Sequence, residues 1–190
     1  MAETKRICVF CGSSPGFNSG YADAARDLGS ALVNRGLGLV YGGESIGLMG
    51  LLADEVMKGG GEVIGVLPES MVAREAGKPD LLDLTELRVV HSMHERKQTM
   101  SDLSDGFAAL PGGMGTFEEL CEILTWAQLG IHSKPIGLVN ANGYYEPLLT
   151  LFDHAVNEGF ISPTNRALLK SADTPSELLD TLGFSSNPQI

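Results

Sequence analysis

The sequence is short of several residue classes, and each shortage removes a class of protein. Only 13 Lys and Arg stand against 24 Asp and Glu, a formal net charge of −11. So negative a surface repels phosphate backbones, so no nucleic-acid partner is expected. A mononucleotide is not excluded, because backbone amides and one or two local cations suffice to hold it. No apolar run reaches the ~18 residues that suggest a membrane span, which predicts a soluble chain without a membrane partner. The leading Met1-Ala2-Glu3-Thr4-Lys5-Arg6 runs straight into an apolar strand with no cleavage-site pattern. That predicts no signal peptide and a cytoplasmic location. The three cysteines, Cys8, Cys11 and Cys121, form an odd set for which reduced thiols are the expectation. Cys8 and Cys11 have C-x-x-C spacing, but a redox pair needs its first cysteine at a helix N-terminus. Cys8 instead lies inside the strand-like run Ile7-Cys8-Val9-Phe10.

Several catalytic signatures are missing too. There is no G-x-x-x-x-G-K-[ST] phosphate loop and no G-x-S-x-G elbow, so P-loop and serine-hydrolase chemistry have no support. His91, His94, His132 and His154 show no metal-ligand spacing, so no metal is expected. Gly113-Met114-Gly115 is followed by Thr116, Phe117 and Glu118, so an acid stands where a dinucleotide fingerprint needs its third glycine. Bound NAD is therefore disfavoured, and no cofactor is expected.

What is present is a regular alternation. The chain has 190 residues, 43% of them hydrophobic, enough for one domain with a full core. Strands are predicted over residues 7–10, 37–41, 62–67, 86–90, 107–110 and 136–139. Helices are predicted over 21–34, 48–58, 93–103, 117–129, 145–158, 163–170 and 175–182. Short apolar strands alternating with amphipathic helices imply an α/β, Rossmann-like open parallel sheet covered by helices on both faces. A single domain over 1–184 is expected, with a frayed tail over 185–190. Residues 68–84 form the longest irregular stretch.

Three glycine-rich turns each follow a strand: Gly12-Ser13-Ser14, Gly42-Gly43 and Gly112-Gly113-Met114-Gly115-Thr116. In an open parallel sheet all three lie at the carboxyl edge, where ligands bind. Any one turn is adequately explained as a tight strand-to-helix connection, but three on one edge point to a nucleotide or phosphate site. Glu118 and Glu119 open the helix after the third turn. Adjacent helical residues point about 100° apart, so only one of them can face the ligand edge. A carboxylate there can stabilise an oxocarbenium ion or activate a water. Met93-His94-Glu95-Arg96-Lys97 opens another helix with two cations set against the helix dipole. That placement suggests binding of an anion or a carboxylate, the alternative being a solvated basic patch.

Pro111-Gly112-Gly113-Met114-Gly115-Thr116-Phe117-Glu118-Glu119 resembles the PGGxGTxxE signature of the LONELY GUY (LOG) family, many of whose members carry an old lysine decarboxylase label. The likeness extends through Cys11-Gly12-Ser13-Ser14, Tyr41-Gly42-Gly43, Gly47-Leu48-Met49-Gly50, the Met93–Lys97 segment, Thr125-Trp126-Ala127-Gln128-Leu129-Gly130 and Gly143-Tyr144-Tyr145. The resemblance implies a Rossmann-like homodimer that hydrolyses cytokinin riboside 5′-monophosphates to free base and ribose 5-phosphate. It implies Arg96 and Glu119 as the catalytic pair. Substrate contacts are implied at Glu75, Lys97, Gly112, Gly113, Met114, Gly115, Thr116, Phe117, Glu118 and Thr125, beside the turn residues Gly12, Ser13 and Gly43. Two departures stand out. Glu44 occupies a position where members often have a third glycine, so that its carboxylate either weakens phosphate binding or points to solvent. The 68–84 loop, which carries Glu75, differs in spacing from plant members. The competing readings are a broader AMP or purine-nucleotide nucleosidase, a non-catalytic nucleotide or cofactor carrier, and a literal decarboxylase. The last would need a pyridoxal-binding lysine, and no such context surrounds Lys97.

Overall fold

The strands are β1 (Arg6–Phe10), β2 (Gly38–Tyr41), β3 (Val63–Pro68), β4 (Glu86–Val90), β5 (Gly106–Ala109), β6 (Ile136–Val139) and β7 (Leu169–Ala172). The helices are α1 (Ser19–Asn34), α2 (Gly47–Lys58), α3 (Glu69–Glu75), α4 (Met93–Asp102), α5 (Met114–Gln128), α6 (Glu146–Asn157), α7 (Pro163–Arg166) and α8 (Pro175–Thr181). This is a computed structural model, and the residues it describes are 4–75 and 84–185. The strands form one sheet in the order β4-β3-β2-β1-β5-β6-β7. Every pairing is parallel, as the alternation predicts.

The inner strands are apolar on both faces because helices cover both. Ile7 and Val9 of β1 enter one core with Leu28 and Leu32 of α1, Leu52 and Val56 of α2, and Leu178 and Leu179 of α8. Cys8 and Phe10 enter the opposite core with Met100 of α4, Leu120 and Ile123 of α5, and Tyr145. The period-two alternation of a strand explains the split. It also places the Cys8 and Cys11 thiols in opposite cores, which rules out their pairing.

Two expectations are corrected. Residues 163–170 are not one helix. Ser162 caps a single turn, α7, and the chain then extends so that Leu169 pairs with Ile136 and Ala172 with Val139. The strand Leu-Lys-Ser-Ala is a sheet edge with only Leu169 fully buried, so it has none of the apolar signal of an inner strand. Residues 68–84 are also not irregular throughout, because α3 follows β3 directly with Glu69 favourably placed in its first turn. Residues 76–83 and 186–190, including most of the expected tail, lie outside the described residues.

The chain direction along the sheet reverses at β1. Strands β2 to β4 build outward on one side, and β5 to β7 on the other. The loops leaving β1 and β5 therefore diverge, which opens a crevice at their carboxyl ends.

Leu28 is fully buried between α1, α2 and the sheet. Replacement by Ala is expected to lower the unfolding free energy by about 2–5 kcal/mol in urea titrations. A loss well under that range would mean the helix layer is not close-packed.

Candidate active site

The crevice has two lobes that share Gly12, Ser13 and Gly113. One, of about 240 Å³, is edged by residues 12–16 with Tyr21, Leu48 and Tyr144. The other, of about 230 Å³, holds the charged groups Arg96, Glu119 and Glu44, with Met49, Met71 and Met93 around them. Together they fall within the roughly 300–1,000 Å³ of small-ligand sites.

Arg96 reaches the crevice because α4 turns Arg96 and Met100, four residues apart, inward. Its Nη1 donates to Glu119 Oε1 at 2.7 Å, its Nε to the Val66 carbonyl at 3.0 Å, and its Nη2 to the Gly42 carbonyl at 3.4 Å. One guanidinium thus ties the ends of β2 and β3 to α5. Gly42 must lack a side chain, since a Cβ there would overlap Arg96 Nη2. Both members of the pair are buried, Arg96 at 7% exposure and Glu119 at 9%. Burial pushes the Glu119 carboxyl above the usual carboxylate value, and the Glu118 charge adds to this against the pull of Arg96.

The features of the crevice that suit an anion are backbone ones. The loop 12–14 is wedged between two glycine contacts. Gly12 N–H donates to the Pro111 carbonyl at 3.0 Å, and a Cβ on Gly47, whose φ is 61°, would run into the Ser13–Ser14 peptide. Tyr144 and Tyr145 brace the other wall, their hydroxyls donating to the carbonyls of Gly112 and Leu110. Helices α1, α4, α7 and α8 each have a side-chain N-cap, whereas α5, like α2 and α6, has none, its N-cap being Gly113. The amides of Met114, Gly115 and Thr116 have no intrahelical acceptor, and these residues line the lobe. An anion at this point is favoured by N–H donors and helix dipole together. Glu119 lies one turn farther along the same face, about 6 Å on at 1.5 Å per residue from Gly115.

Of the residues expected from sequence, Gly12, Ser13, Arg96, Gly113, Met114, Gly115, Thr116 and Glu119 meet in the charged lobe, and Gly112 lines its neighbour. The others lie off the lining. Gly43, with φ 78°, turns the chain against Leu67. Phe117 is half-buried and stacks on Tyr144 at 6.5 Å between ring centres. Lys97 points away from Arg96 to Glu118 and to Glu122, the latter at 3.0 Å. Burial works against the Lys97 charge, but the two carboxylates prevail and hold its amine above the ordinary lysine value. Thr125 sits six residues beyond Glu119, about 240° around the helix, and so faces a different hollow beside Phe152 and Ile161. Glu75 ends α3, and its side chain lies outside the described residues. Glu44, Met49, Met71, Met93, Tyr21 and Tyr144 line the crevice without having been singled out as contacts. Only their place next to glycine turns or family segments could have signalled them.

Fold and site together define a Rossmann-type α/β protein with a small-molecule crevice at the β1/β5 switch point. A family model described as "Possible lysine decarboxylase" matches residues 49–182. A cytokinin riboside 5′-monophosphate phosphoribohydrolase of Arabidopsis thaliana is 56% identical over 181 residues, covering 95% of this chain and 83% of the relative. One of Oryza sativa subsp. japonica is 54% identical, covering 92% and 71%. The solved molybdenum cofactor binding protein of the phototrophic bacterium Rippkaea orientalis superposes with TM-score 0.70 at 20% identity, covering 96% of this chain and 98% of that one, a likeness of fold alone. The chain belongs to the LOG family, which the lysine-decarboxylase model and these phosphoribohydrolases represent.

Arg96→Ala leaves Glu119 buried without its cation, and a loss of about 3–5 kcal/mol is expected. The loss should depend on pH. A carboxyl whose pKa is raised in the folded state holds its proton more tightly than in the unfolded chain. Stability from that proton is full at low pH and is lost as pH rises through the raised value. The deficit of Arg96→Ala against the unaltered chain should therefore be smaller at pH 5 than at pH 8 in urea titrations. A deficit that shrinks toward alkaline pH would contradict the assignment.

Proposed function

We propose that this chain hydrolyses the N-glycosidic bond of cytokinin riboside 5′-monophosphates, giving the free base and ribose 5-phosphate. The observation that carries the reading is the buried Arg96–Glu119 pair, one helical turn beyond the open N-terminus of α5. A 5′-phosphate resting on the amides of residues 114–116 brings C1′ of its ribose near Glu119. The names and identities of the relatives supply the substrate class.

In the proposed reaction the 5′-phosphate anchors the nucleotide at α5. Glu119 stabilises the positive charge that develops at C1′ and orients the attacking water. The water oxygen bonds to C1′ as the bond from C1′ to the purine nitrogen breaks. The proton the water loses balances the one the base gains. Arg96 keeps Glu119 oriented and lies beside the departing base. Met49, Met71 and Met93 offer soft apolar surface to the planar purine.

The working unit is proposed to be a homodimer in the cytoplasm. Leu129, Ile131, Leu151 and Phe160 are 57–88% exposed around α5 and α6, and α6 has no fully buried residue. Apolar surface of that kind suits a partner subunit. A second copy on this face places Thr125 at the subunit contact rather than in its own crevice. Leu151→Glu combined with Phe160→Glu should convert dimer to monomer in sedimentation velocity. An unaltered chain that sediments as a monomer would sink the dimer.

Glu119→Gln keeps the shape and removes the charge. Base release from N6-isopentenyladenosine 5′-monophosphate, followed by chromatography, should fall by roughly 10²-fold or more in kcat. Near-normal turnover would refute the role of Glu119, and equal turnover of AMP by the unaltered chain would widen the activity to purine nucleotides generally.

A further inference from the structure

Glu44 is the charged residue of the crevice that the reaction above leaves unused. Its half-buried side chain lines the same lobe as Arg96 and Glu119. Among the described residues no cation or hydrogen-bond donor pairs with its carboxylate, whereas Arg96 and Glu119 are committed to each other.

The backbone that carries Glu44 is held on both sides. Gly42 abuts Arg96, Gly43 turns against Leu67 at φ 78°, and Gly47 and Gly50 pack so tightly on the Ser13–Ser14 peptide and on Ser45 that a Cβ would overlap them. The strand end therefore holds the backbone of Glu44 in place beside the lobe that its side chain lines, two residues past the carbonyl that receives Arg96.

Chemistry restricts what this carboxylate can receive. An ionised carboxylate only accepts hydrogen bonds and repels anions. It is no partner for the phosphate, which the α5 amides serve. In a nucleotide whose C1′ lies at Glu119, the nearest neutral donors are the ribose hydroxyls. The 2′-hydroxyl is carried by the carbon bonded to C1′. A carboxylate can take a vicinal diol through both oxygens, as acidic residues do for the ribose in dinucleotide sites. Among the described residues no group of three or more acidic, histidine or cysteine side chains could hold a metal, so metal binding is not a competing use for Glu44 there.

We propose that Glu44 is a specificity-determining residue that grips the ribose 2′- and 3′-hydroxyls and selects ribonucleotides over 2′-deoxyribonucleotides. The assignment rests on the nucleotide reading of the crevice. Its test separates the two. Binding of ribose 5-phosphate and of 2-deoxyribose 5-phosphate to the unaltered chain and to Glu44→Gln is measured by calorimetry. Base release from AMP, N6-isopentenyladenosine 5′-monophosphate and their 2′-deoxy analogues is measured in parallel. The unaltered chain should bind ribose 5-phosphate roughly tenfold or more tightly than the deoxy sugar, the worth of a hydrogen bond to a charged group. Glu44→Gln and Glu44→Gly should bring that ratio, and the corresponding ratio of kcat/KM, close to one by weakening the ribo form alone. An unchanged ratio, or equal loss on both sugars, overturns the role of Glu44 while leaving hydrolysis standing. Sugar discrimination that depends on Glu44 without release of any base overturns the hydrolase reading and keeps the ribose site. Binding of neither sugar phosphate overturns both.

Discussion

A buried guanidinium must have its donors taken up, and in this protein that requirement organises the carboxyl edge of the sheet. Arg96 comes from α4 on one face of the sheet. It satisfies itself on the carbonyl ends of β2 and β3 and on the Glu119 carboxylate of α5. Two unpaired buried charges would each cost several kcal/mol, so the pairing couples the ends of two strands to two helices. The carboxylate that results is held in place, stripped of most of its water, and pushed toward protonation by burial. These are the conditions under which a carboxylate can respond to charge developing on a substrate.

The same constraint explains why the crevice is made of glycine. Gly42 has no room beside Arg96, Gly112 none beside Thr116, and Gly47 none against the Ser13–Ser14 peptide. Removing side chains at these junctions lets the loops pack closely on Arg96, on Thr116 and on each other, beside the first residues of α5 that line the lobe. An acidic protein can then hold a phosphate without a basic surface, because its binding energy comes from oriented N–H groups rather than from net charge. Among the described residues, the cation that lines the charged lobe, Arg96, is already paired with Glu119, so it orients a carboxylate rather than collecting anions.

The inner strands and the three glycine turns were legible in the chain because both are local patterns. Apolar runs bounded by glycine mark strands buried on both faces, and the turn after each must lie on one edge of a parallel sheet. Helical spacing lets only one of Glu118 and Glu119 face the edge, and Glu119 meets Arg96 while Glu118 turns out to Lys97. What was illegible depended on neighbours. Strand β7 has a sheet edge for its environment and so lacks a strand's apolar signature. The helix α3 hid in a stretch with no strong periodicity. Thr125 shares a helix with Glu119, yet helical rotation carries it to a different face.

By itself the sequence determined the class of fold, the sheet edge on which the crevice opens, and the charged residue types that line it. Each of these follows from residue identity and from spacing along the chain. Tertiary structure decided which charges are buried together, which of two neighbouring acids faces the crevice, and that Glu44 enters the lobe rather than solvent. Those outcomes turn on contacts between residues far apart in sequence, 23 positions for Arg96 and Glu119 and 54 for Arg96 and Gly42. Burial and pairing are properties of such contacts, and no local pattern encodes them.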